Sequence, residues 1–131
     1  MSALNMKQTV SGTLPEVIER VTAAIQKEGF GVLTRIDLHQ KFKEKLGQDV
    51  APVVILGACN PQLALQAYQA NPDVTALLPC NVVVRELAPG QMSVEIAKPS
   101  SMMNMLGEAN LAQLAQQADA RLGNALASLA S

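Results

Sequence analysis

Cys59 and Cys80, the two cysteines of this 131-residue chain, are the residues whose surroundings most suggest chemistry. Each is followed directly by asparagine, and each has a proline within two residues. Both motifs fall where a predicted strand meets another element, and a thiol at such an end can reach a ligand that a core thiol cannot. We therefore interpret Cys59, Asn60, Cys80 and Asn81 as a ligand-binding or redox site.

Cys59 is predicted to lie just before a helix that begins at Asn60 and Pro61. Asparagine is a favoured N-cap residue, and proline suits the first helical position because its missing N–H would have had no partner. The free N–H groups and the dipole of a helix start should lower the pKa of the Cys59 thiol. The alternative is a good strand-to-helix turn in which cysteine is only a small apolar filler.

The connection between the two cysteine-bearing strands decides whether the thiols meet. About ten residues follow the predicted helix 61–70 and could return the chain, which would make the strands antiparallel and put both thiols at one sheet edge. A right-handed crossover would make the strands parallel and separate the thiols. The long, apolar return segment favours the first arrangement.

His39, the only histidine, gives a hypothetical metal site together with Cys59 and Cys80. Three such ligands could hold Zn²⁺ or Cu(I), although no Cys-x-x-Cys or His-x-x-x-His spacing supports the site. One short segment adds thioethers that could bind copper or simply fill gaps in the core: Met102, Met103 and Met105. A closed zinc site prefers four ligands, so we expect any metal to be weakly held or completed by another group.

The elements that position these residues follow from hydrophobic periodicity and turn residues. Strands are predicted over residues 6–10, 32–38, 53–56, 81–87 and 91–97. Helices are predicted over residues 14–28, 39–46, 61–70 and 108–129, with a short turn or helix after Pro99. The order β-α-β-α-β-α-β-β-α predicts a single domain over 1–131 of the α+β class, with a mainly antiparallel or mixed sheet covered by helices.

The amino-acid composition limits the classes of function that this chain can have. Hydrophobic residues make up 49% of the chain, enough for a core, while a net charge of −1 and 2% aromatic residues argue against nucleic-acid binding. We find no signal peptide and no run long enough to span a membrane, which predicts a cytoplasmic protein. The alanine-rich C-terminal helix carries an apolar stripe that predicts a homo-oligomer, with a dimer as the simplest case.

Two segments, residues 55–61 and 77–84, resemble the signature of a prokaryotic family, domain of unknown function 302. Residues 44–47 and Lys98-Pro99 support the resemblance, which extends over most of the chain from about Gly29 to Met103. The resemblance implies a small α+β domain that self-associates. It implies no activity.

The sequence therefore leaves three functional hypotheses. The leading one is a small binding or sensing module with a paired-cysteine site for a small molecule or a metal, in which Cys59 reacts or ligates first and Cys80 is the resolving or second thiol. The second is a thiol-dependent enzyme of sulfur or redox metabolism, for which no catalytic residue is assigned. The third is a structural or interaction domain with packed cysteines.

Overall fold

A computed structural model describes residues 5–130, and its elements follow the predicted order. The strands are β1 Asn5–Ser11, β2 Gly31–Asp37, β3 Val53–Cys59, β4 Cys80–Ala88 and β5 Gln91–Ala97. The helices are α1 Leu14–Lys27, α2 Leu38–Leu46, α3 Pro61–Ala70, α4 Pro99–Met103 and α5 Ala109–Ala127. Two short 3₁₀ helices, Pro72–Leu77 and Asn104–Leu106, complete the chain. The predicted α+β class is confirmed.

The five strands form one sheet in the order β1-β5-β4-β3-β2, and every neighbouring pair is antiparallel. β4 is therefore the central strand, and β3 lies between β4 and the edge strand β2. This resolves the predicted "antiparallel or mixed" sheet in favour of the antiparallel form.

Helix α1 begins as its sequence predicts, with a capping box. The Oγ1 atom of Thr13 accepts a hydrogen bond from the Glu16 N–H at 3.3 Å, and the Thr13 N–H donates to Glu16 Oε1 at 2.9 Å. These two bonds satisfy N–H groups that have no partner within the helix. The start of α1 is thus fixed, and its apolar stripe is turned towards the sheet.

The core lies between one face of the sheet and helices α1 and α5. The stripe of α5 is buried inside the chain: Leu111, Ala115, Ala118, Leu122, Ala125 and Leu126. The prediction that this helix covers the sheet is confirmed. Its stripe packs in the core of the chain, and self-association remains a prediction.

The opposite face of the sheet is only partly buried. On β3, Val54 and Leu56 point into the core, whereas Val53 and Ile55 on the other face are half-buried. Strand β3 is therefore buried mainly through one face. Since the sheet is antiparallel, one face can pack while the other retains contact with water.

Candidate functional site

The two cysteines lie at the same edge of the sheet. Cys59 is the last residue of β3 and Cys80 is the first residue of β4, and these strands are antiparallel neighbours. The register pairs Ala58 with Cys80, so Cys80 shares the core-facing side with Val82. The parallel arrangement, which would have separated the thiols, does not occur.

A small cavity of about 30 Å³ lies at this edge, and both Cys59 and Cys80 line it. Helices α3 and α5 and the start of α4 contribute most of the other walls. The lining is mainly apolar and includes Phe30, Leu63, Pro99, Met103, Leu114 and Ala118. Asn60 is the polar residue among the cavity's neighbours, beside the two thiols.

Asn60 is buried, with 6% of its surface exposed, and it caps α3 as predicted. Its Oδ1 atom accepts a hydrogen bond from the Leu63 N–H at 3.1 Å. Gly29, with φ of +86°, makes room for the amide, because a Cβ at that position would lie 2.8 Å from Asn60 Nδ2. A side chain at position 29 would therefore displace the cap and the cavity wall.

Asn81 is exposed and is separated from the cavity that holds both thiols. Successive residues of a strand point to opposite faces, so Asn81 points away from Cys80 and lies opposite Gly57 on β3. It contributes instead to a neighbouring cavity of about 40 Å³ that also contacts Cys80 and Met102. The two asparagines, which the sequence treated alike, thus have different positions.

Asp119 of α5 is a charged neighbour that the sequence reasoning missed. Its Oδ1 accepts from the Ser100 N–H at 3.1 Å, and its Oδ2 accepts from the Ser100 hydroxyl. These bonds tie α5 to the first turn of α4, next to Cys80. The sequence gives little indication of this contact. Asp119 lies 39 residues from Cys80, and an aspartate on the polar side of a helix is not unusual.

Burial raises the pKa of both thiols. For Cys80 the pKa rises to about 11, first through desolvation and then through the nearby Cys59 and Asp119. For Cys59 desolvation raises the pKa as well, and this thiol is the less deeply buried of the two. The prediction that the helix start lowers the pKa of Cys59 is therefore wrong, since partial burial of the thiol raises this pKa instead.

The hypothetical metal site of His39, Cys59 and Cys80 does not form. His39 Nδ1 accepts a hydrogen bond from the Val53 N–H at 3.1 Å, at the beginning of β3. Cys59 is at the other end of that strand, roughly 20 Å away at about 3.3 Å per residue. Within residues 5–130, no group of three or more His, Cys, Asp or Glu side chains could hold a metal.

Both cysteines are free thiols, and no disulfide joins them. A disulfide-linked cysteine pair is therefore not part of this structure. The arrangement that remains is two protonated thiols beside one apolar cavity, with a capping amide next to them. Such a cavity can admit a single small thiophilic atom or ion, or the thiols themselves can be oxidised.

The fold and the site define a small α+β domain with a five-stranded antiparallel sheet and a thiol-lined cavity at one edge. The chain belongs to the family described as Domain of unknown function DUF302, whose profile matches residues 6–129. It is similar to the crystal structure of an uncharacterized conserved protein DUF302 from Bacillus stearothermophilus. The TM-score is 0.89 and the sequence identity 32%, covering 98% of this chain and 99% of that one.

The family resemblance inferred from the cysteine motifs is thus confirmed. No curated protein sequence matches the chain significantly. Within the described part of the chain, none of the helices combines the length and the hydropathy needed to cross a membrane.

Proposed function

We propose that this domain is a small binding or sensing module that acts through the thiols of Cys59 and Cys80. The observation that carries the proposal is that two free cysteines line one cavity at a sheet edge. Cys59, the less buried thiol, would react or ligate first. Cys80 would then be the resolving or second thiol, while Asn60 holds the cavity wall in place.

The size of the cavity limits what it can bind. Its volume of about 30 Å³ exceeds the roughly 10–15 Å³ that a cavity needs to hold one water molecule. Sites for organic ligands usually enclose roughly 300–1,000 Å³. We therefore propose a single thiophilic atom or ion, or reversible oxidation of the thiols, in preference to an organic ligand.

The enzymatic alternative has less support. The thiolate is the nucleophilic form of cysteine, and burial raises the pKa of both thiols, so both are protonated at neutral pH. His39, the only histidine, lies beside the opposite end of β3, too far from Cys59 to act as its base. A binding or sensing role does not need a thiolate in the resting protein.

Arsenite tests whether the two thiols act together. Arsenous acid, As(OH)₃, reacts with two thiols by forming two As–S bonds and releasing two molecules of water, without any change of oxidation state. We expect the reduced, folded chain to bind one arsenic atom and to lose both free thiols in the same step, as intact mass and thiol titration would show.

The variants Cys59→Ala and Cys80→Ala are the matched controls, since each leaves one thiol in the same cavity. Each should lose most of the arsenite binding. If the folded wild-type protein keeps both thiols free while the urea-unfolded protein binds arsenic, the cysteines are packing residues and the proposal is wrong.

We further propose that residues 1–131 act as one domain in a reducing compartment, with the cytoplasm as the simplest case, because free thiols persist there. Self-association also stays a prediction. Light scattering during size-exclusion chromatography would test it, and a mass equal to that of one chain at micromolar concentration would contradict it.

A further inference from the structure

The segment that follows β5 passes beside Cys80. Strands β4 and β5 pair Val82 with Ile96, and continuing this antiparallel register by two residues places Cys80 opposite Lys98. Pro99, the first residue of α4, therefore comes next to the beginning of β4. The strand register and the cavities agree on this neighbourhood, because Pro99 and Cys80 border the same two cavities.

Cys80, Pro99 and Met103 form the wall between these two cavities. All three residues line both the cavity of about 30 Å³ and the neighbouring cavity of about 40 Å³. The core residue Ala58 borders only the first cavity, whereas the exposed Asn81 borders only the second. A shift of Pro99 away from Cys80 would therefore join the two cavities into one space that is larger than either.

Few buried side chains hold this segment in place. Of residues 99–106, all of which the structure describes, only Pro99 and Met103 are buried. Lys98, the N-cap of α4, makes no side-chain hydrogen bond to the helix start in the described part of the chain. Segments with few buried contacts open locally more readily than the core does. The position of α4 therefore depends strongly on the polar contacts of its first turn.

Asp119 of α5 supplies a polar attachment for the first turn of α4. Its Oδ1 accepts a hydrogen bond from the Ser100 N–H at 3.1 Å, and its Oδ2 accepts one from the Ser100 hydroxyl. The N–H groups of a first helical turn have no partner within the helix. A carboxylate from another helix thus takes the place of an N-cap, at the residue that directly follows Pro99.

We propose that the contact between Asp119 and Ser100 is a latch that controls access to the Cys80 thiol. The latch acts by keeping Pro99 in the wall between the two cavities. Asp119 is in this role a positioning residue, since it acts through Ser100 and Pro99. The inference rests on the proposed thiol function, because it concerns the regulation of the same site. When the latch opens, the two cavities connect beside Cys80 and admit a larger reagent.

The test compares the rates at which two reagents of different size alkylate Cys80 in the reduced, folded chain. Iodoacetamide is the smaller probe and N-ethylmaleimide the larger. Asp119→Ala removes both hydrogen bonds of the latch. A hydrogen bond to a charged group commonly shifts an equilibrium by about tenfold or more, so N-ethylmaleimide should modify Cys80 at least about tenfold faster in this variant. Iodoacetamide should gain less, and the rate at Cys59, which borders only the first cavity, should change less.

Ser100→Ala separates the latch from the charge of Asp119. Besides desolvation, that charge raises the pKa of Cys80, so its removal alone would speed the reaction with either reagent. Ser100→Ala keeps the carboxylate and removes only the hydroxyl bond, so a preferential gain for N-ethylmaleimide must come from the latch. Gln116→Ala, at an exposed position of the same helix, is the control and should leave both rates unchanged.

Three results would overturn the latch. One is an unchanged rate for N-ethylmaleimide at Cys80 in folded Ser100→Ala, which decides the matter even if Asp119→Ala folds poorly. Another is an equal gain for the two reagents, which indicates a charge effect. The third is an equal gain at Cys59 and Cys80, which indicates general loosening of the fold. If wild type binds arsenite through both thiols, the proposed function survives any of these results. A preferential gain at Cys80 without arsenite binding would leave the latch and remove the proposed function.

Discussion

The ring of Pro79 lies against the bare Cα of Gly57, so that a Cβ at position 57 would come within 2.7 Å of Pro79 Cγ. The same Cβ would overlap Thr34 Oγ1 on the neighbouring strand β2. Pro79 immediately precedes Cys80, so this contact sets where β4 begins beside β3. Strand β3 continues past Gly57 to Cys59, so the glycine allows this close approach and does not form a turn.

Gly57→Ala should destabilise the fold. Extra methyl groups in a tightly packed position typically cost about 1–3 kcal/mol, and here the added Cβ meets Pro79 and Thr34. Gly31→Ala is the control, because no atom lies within 4 Å of its Cβ position. Urea unfolding of both variants measures the difference. Equal midpoints for the two would show that the contact at Gly57 relaxes without cost.

Cys59 should react with iodoacetamide faster than Cys80 in the folded protein. Burial raises the pKa of both thiols, and the negative charges of Cys59 and Asp119 raise the pKa of Cys80 further. Both should therefore react more slowly at pH 7 than in urea, and both rates should increase with pH. Peptide mass spectrometry of samples quenched at successive times measures the rate of modification of each cysteine. Faster reaction at Cys80 would reverse the assigned order.

The free energy of unfolding should decrease at alkaline pH because of Cys80. Its pKa is raised from 9.0 to about 11 in the folded state, so the folded state holds the proton more tightly than the unfolded chain. The corresponding stability is fully present below pH 9 and is lost as the pH rises towards 11. At about 1.4 kcal/mol per unit of pKa, the loss should be on the order of 2–3 kcal/mol.

Cys80→Ala provides the comparison for this pH effect. The difference between wild type and variant isolates the contribution of the Cys80 thiol from everything that the two proteins share. Urea unfolding at pH 8, 9, 10 and 11 would follow the two proteins in parallel. A difference that stays constant across this range would contradict the predicted linkage.

Asn60→Ala should destabilise the protein, whereas Asn81→Ala should have little effect. Asn60 caps α3 through the Leu63 N–H and is buried, and loss of an N-cap costs about 0.5–2 kcal/mol. Asn81 is exposed on the other side of the sheet. Thermal unfolding followed by circular dichroism would rank the two. Similar losses would mean that Asn81 also has a structural role.

Leu122→Asp should unfold the domain. The side chain of Leu122, on α5, is fully buried against the sheet, and a carboxylate there would have no partner. Leu65→Asp on α3 is the control, since Leu65 is 57% exposed. Circular dichroism and proteolysis compare the variants. A folded Leu122→Asp protein of unchanged stability would show that the stripe of α5 is dispensable.

Local signals were sufficient to predict most of the elements. The capping box at Thr13 and Glu16 and the cap at Asn60 appear as their sequences indicate, because each depends on neighbouring residues alone. Inward positions were harder to assign on short helices. Leu46 and Tyr68 are 68% and 49% exposed, because helical periodicity defines an apolar stripe but does not determine what covers it.

The sequence by itself determined the element order and the family, and it drew attention to the two cysteine motifs. Only the tertiary structure decided which residues accompany the thiols. His39 is removed to the far end of β3, while Met103, Asp119 and Gly29 come from elements that are distant along the chain. The physical reason is that caps and periodicity act over one or two turns, whereas strand order and helix packing bring together residues whose separation in sequence carries no local signal.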